Sequence, residues 1–189
     1  MKRVIFLMAF FVWSNSFCFG AEYALDKGSN MFGITANYFT AKGELYEEDD
    51  ESFTAILFMP HTLRFVARNV GVGGDLLVLL TGQKDNKSIT LGLGPKIIYF
   101  LGGKDKKSYP YLTTGFYYIR NDLEYDDTES HHSGTRFKVG LGVNSMLASH
   151  LGLLIEVSYN LDNLKEEDKE KSESGSMISV SMGLAGFSF

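Results

Sequence analysis

The chain has 189 residues, with 23 acidic and 18 basic side chains and a formal net charge of −5. This balance argues against a nucleic-acid partner, which requires a basic surface. A mean hydropathy of −0.05 excludes a helical membrane protein. It does not exclude a β-barrel, in which apolar residues recur only at every second position. Twenty glycines, three prolines and many aromatic residues suit a single all-β domain.

The amino end has the pattern of a secretory signal peptide. The apolar run Val4–Val12 follows two basic residues, and Cys18–Gly20 offers a small-x-small cleavage site. A run of about ten apolar residues is too short for the roughly 20 that a membrane-spanning helix needs. Lipid attachment at Cys18 is the weaker alternative, because Phe17 stands where such a site requires a small residue. We therefore predict a cleaved signal over residues 1–20 and a barrel domain over residues 21–189.

From residue 29 onward, the dominant hydrophobic period is two, which indicates β-strands. The pattern predicts eight of them: Ser29–Thr40, Ser52–Val66, Val70–Thr81, Ser88–Leu101, Tyr109–Asn121, Gly134–Leu147, Leu151–Asp162 and Gly175–Phe189. Long polar connections alternate with short ones along the chain, as in outer-membrane barrels with extracellular loops and periplasmic turns. An even number of strands places both termini on the side of the short turns. We therefore predict an eight-stranded antiparallel up-and-down transmembrane barrel.

The two faces of most predicted strands differ in chemistry. On the fourth strand, Leu91, Leu93 and Ile97 share one face, whereas glycines and Lys96 share the other. In a membrane barrel the aliphatic face points to lipid and the charges point inward. On the second strand the same rule assigns Leu57, Met59, Leu63 and Phe65 to lipid. The fifth strand is ambiguous, because both of its faces are apolar. A soluble lipocalin-like binder with the aliphatic face inside is the alternative reading of this alternation.

The predicted eighth strand changes parity near its end. Ile178, Val180, Met182 and Leu184 share one face, but Phe187 and Phe189 share the other. A one-residue β-bulge near Leu184–Gly186 would place all six side chains on the lipid face. We state this bulge as a hypothesis that unbroken alternation would remove.

Eight strands enclose an interior just wide enough to be filled by side chains, which argues against a wide pore. The predicted register places six charges inside: Arg64, Asp75, Lys96, Arg136, Lys138 and Glu156. Asp75 and Lys96 fall on neighbouring strands near mid-barrel, and Lys138 and Glu156 have the same relation. Because a buried charge is costly without a partner, we expect an internal ion-pair network. Its simplest role is a stabilising plug, and the alternative is a narrow gated conduit.

The long connections are strongly acidic, for example Glu44–Glu51 and Glu166–Glu173. Such charge runs are usually solvated surface. The alternatives are divalent cations that bridge the loops to lipopolysaccharide, or a basic partner at the cell surface. The segment His131–Ser133 has residue types of a hydrolase site, but consecutive strand residues point to opposite faces and no orienting acid stands at a recognisable spacing. We expect no catalytic, metal or cofactor site.

Three segments resemble parts of known membrane barrels. Gly175–Phe189 is similar to the closing strand of bacterial outer-membrane barrels, with terminal aromatics Phe187 and Phe189 as an assembly signal. Leu63–Leu76 resembles a recurrent periplasmic hairpin of the small porin-superfamily barrels, and Pro110–Tyr118 resembles their fifth strand. The chain thus resembles the outer-membrane β-barrel domain family, which includes the OmpA membrane domain and OmpX-like proteins.

The resemblance implies a location in the bacterial outer membrane, contact with its lipid and lipopolysaccharide, and insertion by the barrel-assembly machinery. It implies a structural or cell-surface role, because members range from anchors to adhesins. A barrel enzyme that acts on lipid A acyl chains is an alternative within the same architecture. That enzyme would need His132 or Ser133 near the outer leaflet with an acid close by.

Overall fold

The computed structural model describes residues 24–43, 54–83, 86–103, 106–125, 128–166 and 172–189. The predicted signal, residues 1–20, lies outside these residues, as do most acidic loop residues. The described strands are β1 (Asn30–Gly43), β2 (Thr54–Ala67), β3 (Val70–Gln83), β4 (Asn86–Phe100), β5 (Ser108–Tyr125), β6 (Thr128–Ala148), β7 (Leu151–Glu166) and β8 (Ser172–Ser188). No helix in this part of the chain is both long and apolar enough to cross a bilayer.

The eight strands form one closed barrel in chain order. Every neighbouring pair is antiparallel, and β1 pairs with β8 from Asn30 opposite Ser188 to Gly43 opposite Gly175. The prediction of an eight-stranded up-and-down barrel is therefore confirmed. We call the end with the β2–β3, β4–β5 and β6–β7 connections and Phe189 the turn end, and the opposite end the loop end.

Local sequence explains one of the two two-residue connections at the turn end. Strands β2 and β3 are joined by Arg68 and Asn69, and Asn69 has a φ of 64°. Asparagine tolerates this left-handed conformation better than most residues. The Asn69 side chain also donates a hydrogen bond to the carbonyl of Gly102, at 2.9 Å. The turn is thereby fixed to the next connection along the rim.

The outer wall of the barrel is apolar. Side chains such as Leu93, Val139 and Ile155 are about half exposed there. On β3, β4, β6 and β7 the aliphatic face points outward, as the alternation predicts. The soluble binder, which requires this face to line an inner cavity, is therefore excluded. An exposed apolar wall of this extent needs a hydrocarbon surrounding.

Strand β2 has the opposite orientation to the predicted one. Leu57, Met59, Leu63 and Phe65 point into the barrel and are almost fully buried. Arg64 is consequently on the outer surface and exposed, so its assignment to the interior is wrong. The physical reason is that both faces of β2 are apolar, because the interior of a small barrel is itself packed with hydrocarbon at its two ends.

Strand β8 alternates without interruption to the end of the chain. Its pairing with β1 and β7 shows no register shift, and the side chains from Ile178 onward are exposed and covered in turn. Phe187 is buried inside the barrel, and Phe189 is partly buried beside it. The proposed bulge near Leu184–Gly186 is therefore wrong. The two terminal aromatics therefore belong to the interior face of β8.

Two apolar clusters occupy opposite ends of the interior. The turn-end cluster comprises Ala24, Leu25, Met31, Leu63, Phe65, Ile98, Phe100, Tyr109, Tyr111, Leu154, Ala185 and Phe187. The loop-end cluster comprises Leu57, Met59, Leu77, Leu79, Tyr117, Ile119 and Leu164. The turn-end cluster includes residues from before β1, because Leu25 is fully buried and its carbonyl accepts a hydrogen bond from the Asn69 amide. The segment 24–29 thus folds across the mouth of the barrel.

Candidate functional site

A layer of buried charges lies between the two apolar clusters. Asp75 on β3 and Lys96 on β4 meet inside the barrel, with Lys96 Nζ 3.4 Å from Asp75 Oδ2. The hydroxyl of Tyr117 donates a hydrogen bond of 2.7 Å to the same carboxylate oxygen. Asp75 is fully buried and Lys96 nearly so. The structure therefore brings together the first pair of interior candidates and adds a phenol from β5.

The second pair of candidates lies across neighbouring strands on the other side of the barrel. Lys138 Nζ on β6 lies 2.6 Å from Glu156 Oε1 on β7. Both side chains are more than nine-tenths buried. The residue opposite Lys138 in the ladder is Asn160, and the residue opposite Glu156 is Gly142. The lysine therefore reaches along the barrel axis to its carboxylate rather than straight across.

Arg136 forms the best-shaped ion pair of the interior, with a partner that the sequence analysis did not identify. Its Nε and Nη2 atoms donate to the two carboxylate oxygens of Asp162, each at 2.6 Å. This fork geometry is stronger than a single contact. The signal for Asp162 was its parity with Glu156 on the same strand, together with its position opposite Arg136 in the β6–β7 register.

His61 is a further interior residue that the sequence analysis missed, because the faces of β2 were assigned in reverse. Its imidazole is buried, lies opposite Asp75 in the β2–β3 ladder, and has Nδ1 3.3 Å from the carbonyl of Met59. On β1 the residue opposite His61 is Gly33, and a Cβ there would overlap the imidazole ring. Glycine is required at this position because the ring occupies the space of a side chain.

Hydroxyl and amide groups continue the polar lining on β7 and β8. Ser158 and Ser179 share a hydrogen bond of 2.8 Å, and Asn160 donates to the carbonyl of Met177 at 3.3 Å. The described interior charges balance as three cations, Lys96, Arg136 and Lys138, against three carboxylates, Asp75, Glu156 and Asp162. A neutral, hydrogen-bonded layer of this kind can stabilise the fold. Ions could cross this layer only if its pairs separated.

The C-terminal aromatics form a second candidate site. The Phe189 ring stacks on His150 of the β6–β7 turn, with centroids 4.5 Å apart and an interplanar angle of 28°. The Phe187 amide donates to the carbonyl of His150 at 2.9 Å, and His150 Nδ1 lies 3.1 Å from the Phe187 carbonyl. In the folded protein these residues are therefore held by the neighbouring turn.

The segment His131–Ser133 lies within β6 rather than in a loop, because β6 begins at Thr128 and pairs with β5 up to Tyr125. His132 and Ser133 are consecutive strand residues, so their side chains leave opposite faces of the sheet. In the ladder, Ser133 stands opposite Arg120 and Lys165. A histidine and serine on opposite faces cannot form the hydrogen-bonded pair of a nucleophilic hydrolase.

Comparisons with known proteins agree with this architecture. Residues 17–185 match the family model described as outer membrane protein beta-barrel domain. The Neisserial surface protein A structure is similar with a TM-score of 0.66 and 15% identity, over 85% of this chain and 99% of that chain. The attachment invasion locus protein Ail of Yersinia pestis gives a TM-score of 0.55 and 14% identity, over 86% and 99% of the two chains. A comparison with curated protein sequences found no match.

Proposed function

Because the chain belongs to the outer membrane protein beta-barrel domain family and is a bacterial outer-membrane protein, we propose that it serves as a closed barrel whose acidic loops act at the cell surface. The role is structural or one of surface interaction, and the barrel neither conducts through a wide pore nor catalyses a reaction. The turn end faces the periplasm and the loop end faces the exterior, as is general for these barrels.

The filled interior is the observation that carries this proposal. The turn-end cluster fills this end of the barrel with fully buried side chains, among them Leu25, Met31 and Phe100. Above it, three ion pairs occupy the space that water or a substrate would need. An interior packed in this way leaves the outer wall and the loops as the surfaces available for function.

The charge of the loops supports a role outside the barrel. The first loop contains Glu44, Glu47, Glu48, Asp49, Asp50 and Glu51 without a basic residue. A strongly acidic outer surface attracts cations and basic partners and repels anionic ones. In the outer membrane the surrounding anion is lipopolysaccharide, so divalent cations that bridge loop carboxylates to its phosphates are one form of this interaction. A basic protein or glycan partner is the other.

Conductance in planar bilayers tests the closed barrel. We expect the refolded protein to give no stable conductance steps at neutral pH. A reproducible step of porin size would contradict the proposal, and it would favour the gated conduit. The matched variant is Leu25→Gly, which removes a buried side chain of the turn-end cluster and leaves the ion pairs unchanged.

Replacement of loop carboxylates tests the surface role. A variant with Glu47, Glu48, Asp49 and Asp50 changed to the corresponding amides keeps side-chain size and removes four charges. We expect it to fold normally and to lose binding of Ca²⁺ or of a basic polypeptide such as polylysine, measured by calorimetry on the folded barrel. Equal binding by the variant and the wild type would contradict a role for this loop.

The C-terminal strand is proposed as the segment that the barrel-assembly machinery reads during insertion. Support comes from its terminal aromatics, which become enclosed only when β8 pairs with β1 and the His150 turn. Deletion of Phe189 should reduce recovery in the outer-membrane fraction, scored by the fast-migrating band of the unheated folded form. A normal yield of folded protein in the outer membrane would contradict this assignment.

A further inference from the structure

Exposed basic side chains collect at the turn end of the barrel. We call this group the basic rim, and its members are Lys27, Arg64, Arg68, Lys106 and Lys107. Among the described residues at this end, Asp26 is the single acidic side chain, and it lies 3.7 Å from Arg68. The rim therefore carries a clear positive excess where the barrel leaves the membrane.

Hydrogen bonds hold the turns that carry these residues together. The Asn69 amide donates to the carbonyl of Leu25 at 2.8 Å, and the Asn69 carbonyl accepts from the Phe100 amide at 2.9 Å. The Asn69 side chain adds its bond to the Gly102 carbonyl. The segment before β1, the β2–β3 turn and the start of the β4–β5 connection thus form one bonded unit. Lys27 and Arg68 lie on this unit, and Lys106 and Lys107 follow at the other end of the β4–β5 connection, where the Lys107 carbonyl accepts a hydrogen bond from the Met146 amide.

Arg64 sets the height of the basic rim relative to the hydrocarbon. It lies on the outer face of β2, two residues from the exposed apolar Val66, and opposite Val72 of β3. A cation among outward aliphatic side chains extends its long stem along them and places its guanidinium among the lipid headgroups. Lys27 and Arg68 lie beyond it, at the aqueous edge. The rim therefore spans the headgroup layer.

The charge is asymmetric both around the rim and along the barrel axis. The other half of the turn end, formed by the β6–β7 turn and the terminus of β8, contains no lysine or arginine within residues 145–154 and 184–189. At the loop end the charges are mixed, because Asp122, Glu124 and Glu173 lie on the same described strand ends as Arg120 and Lys165. The positive excess is therefore confined to part of the turn end.

We propose that the basic rim binds the phosphate groups of anionic phospholipids in the periplasmic leaflet. The phosphate of such a headgroup accepts charge-assisted hydrogen bonds from Lys and Arg, and clustered cations at a membrane surface are attracted to anionic lipid. The site is separate from the acidic loops, and the inference rests only on the membrane location and on the orientation of the barrel. Its failure would leave the proposed surface function untouched.

Lipid retention by charge-reversed variants tests the proposal. The rim variant is Lys27→Glu/Lys106→Glu/Lys107→Glu, which leaves Arg68 and its contact with Asp26 intact. The control is Lys42→Glu/Arg120→Glu/Lys165→Glu, which makes the same change of charge at the loop end. Each full chain is folded into phosphatidylcholine bilayers that contain phosphatidylglycerol, and heat-modifiable gel mobility verifies folding. Native mass spectrometry then measures the ratio of the two lipids retained on the barrel.

We expect the wild type and the control to retain phosphatidylglycerol in excess of its bulk fraction. The enrichment on the rim variant should be at least about threefold lower than on the wild type. Raising the salt concentration to 0.5 M before extraction, roughly a threefold shorter screening length than at 0.05 M, should lower the wild-type enrichment in the same direction. Equal enrichment in all three proteins would overturn the proposal. So would unchanged lipid retention combined with loss of sedimentation on purified peptidoglycan by the rim variant alone, because the partner would then be the cell wall.

Discussion

The charged residues of the interior show how a small barrel accommodates groups that a hydrocarbon core would reject. Arg136 and Asp162 satisfy each other through two hydrogen bonds, and Lys138 meets Glu156 at 2.6 Å. All of these side chains are more than nine-tenths buried. A buried ion pair adds little net stability over an apolar pair, but the loss of one partner leaves an uncompensated charge. The residues therefore act as pairs, and each is sensitive to removal of the other.

Removal of one partner of the Lys138–Glu156 pair should destabilise the barrel strongly. We expect Glu156→Gln to lower the free energy of unfolding by about 3–5 kcal/mol, because it leaves the Lys138 ammonium buried without its carboxylate. The double variant Lys138→Met/Glu156→Gln removes both charges and should recover most of that loss. Urea unfolding in lipid bilayers measures the three free energies. A single variant within 1 kcal/mol of the wild type, roughly the scale of an exposed pair, would show that this layer is hydrated.

The outer wall can be tested by a charge placed in the hydrocarbon. Val139 and Ile155 are exposed on neighbouring strands well away from both ends. Val139→Arg or Ile155→Arg should each cost about 2–4 kcal/mol of unfolding free energy, because arginine is poorly solvated at the bilayer midplane. The matched change Val66→Arg lies near the turn end and should cost about 0–1 kcal/mol. Equal costs at all three sites in urea titrations would argue against a membrane-facing wall.

At the scale of elements, β2 and β8 have the same cause for their unexpected orientation. Each directs apolar side chains inward toward the turn-end cluster, Leu63 and Phe65 from β2 and Phe187 from β8. The cluster also includes aromatic rings that pack across neighbouring strands, such as Phe100 and Tyr111, whose ring centroids are 5.4 Å apart. A barrel that is closed by packing at its mouth needs inward aromatics near the strand ends. Those side chains do not follow the rule that apolar means lipid-facing.

Phe187 and Phe189 should therefore differ in their contributions to stability. Phe187→Ala empties a buried position in the turn-end cluster and should cost about 3–5 kcal/mol. Phe189→Ala loses a partly exposed stack on His150 and should cost about 0.5–1.5 kcal/mol. Urea unfolding of the refolded barrels gives both values independently of cellular assembly. If Phe189→Ala proved the more damaging of the two in this assay, the assignment of Phe187 to the interior would be contradicted.

At the scale of the whole molecule, the barrel separates three environments along its axis. The basic rim lies at the turn end, the apolar wall crosses the hydrocarbon, and the described strand ends at the loop end carry charges of both signs. The interior has the reverse order, with apolar packing at the two ends and charges between them. A molecule organised in this way presents its chemically distinctive surfaces outward. The interactions proposed above therefore involve the two ends of the barrel.

Loss of a side chain from the turn-end cluster and loss of an ion pair should have different effects on the conductance of the barrel. Leu25→Gly thins the turn-end cluster, yet the charged layer above remains paired, so we expect no stable conductance from this variant alone. Combining Leu25→Gly with Glu156→Gln should produce intermittent small steps in planar bilayers, because the two barriers lie in series. Large steady currents from Leu25→Gly alone would show that the segment before β1 is the principal barrier.

The amino-acid sequence by itself determined the number and order of the strands, because the alternation of period two survives wherever the two faces differ in chemistry. It also indicated the neighbours Asp75 with Lys96 and Lys138 with Glu156, since up-and-down topology makes consecutive strands adjacent. Only the tertiary structure decided the faces of β2, β5 and β8. Both faces of these strands are apolar or small, and no local pattern distinguishes lipid from a packed interior. The pairing of Arg136 with Asp162 and the entry of Leu25 into the turn-end cluster likewise depended on closure of the barrel, which brings distant residues together around one narrow axis.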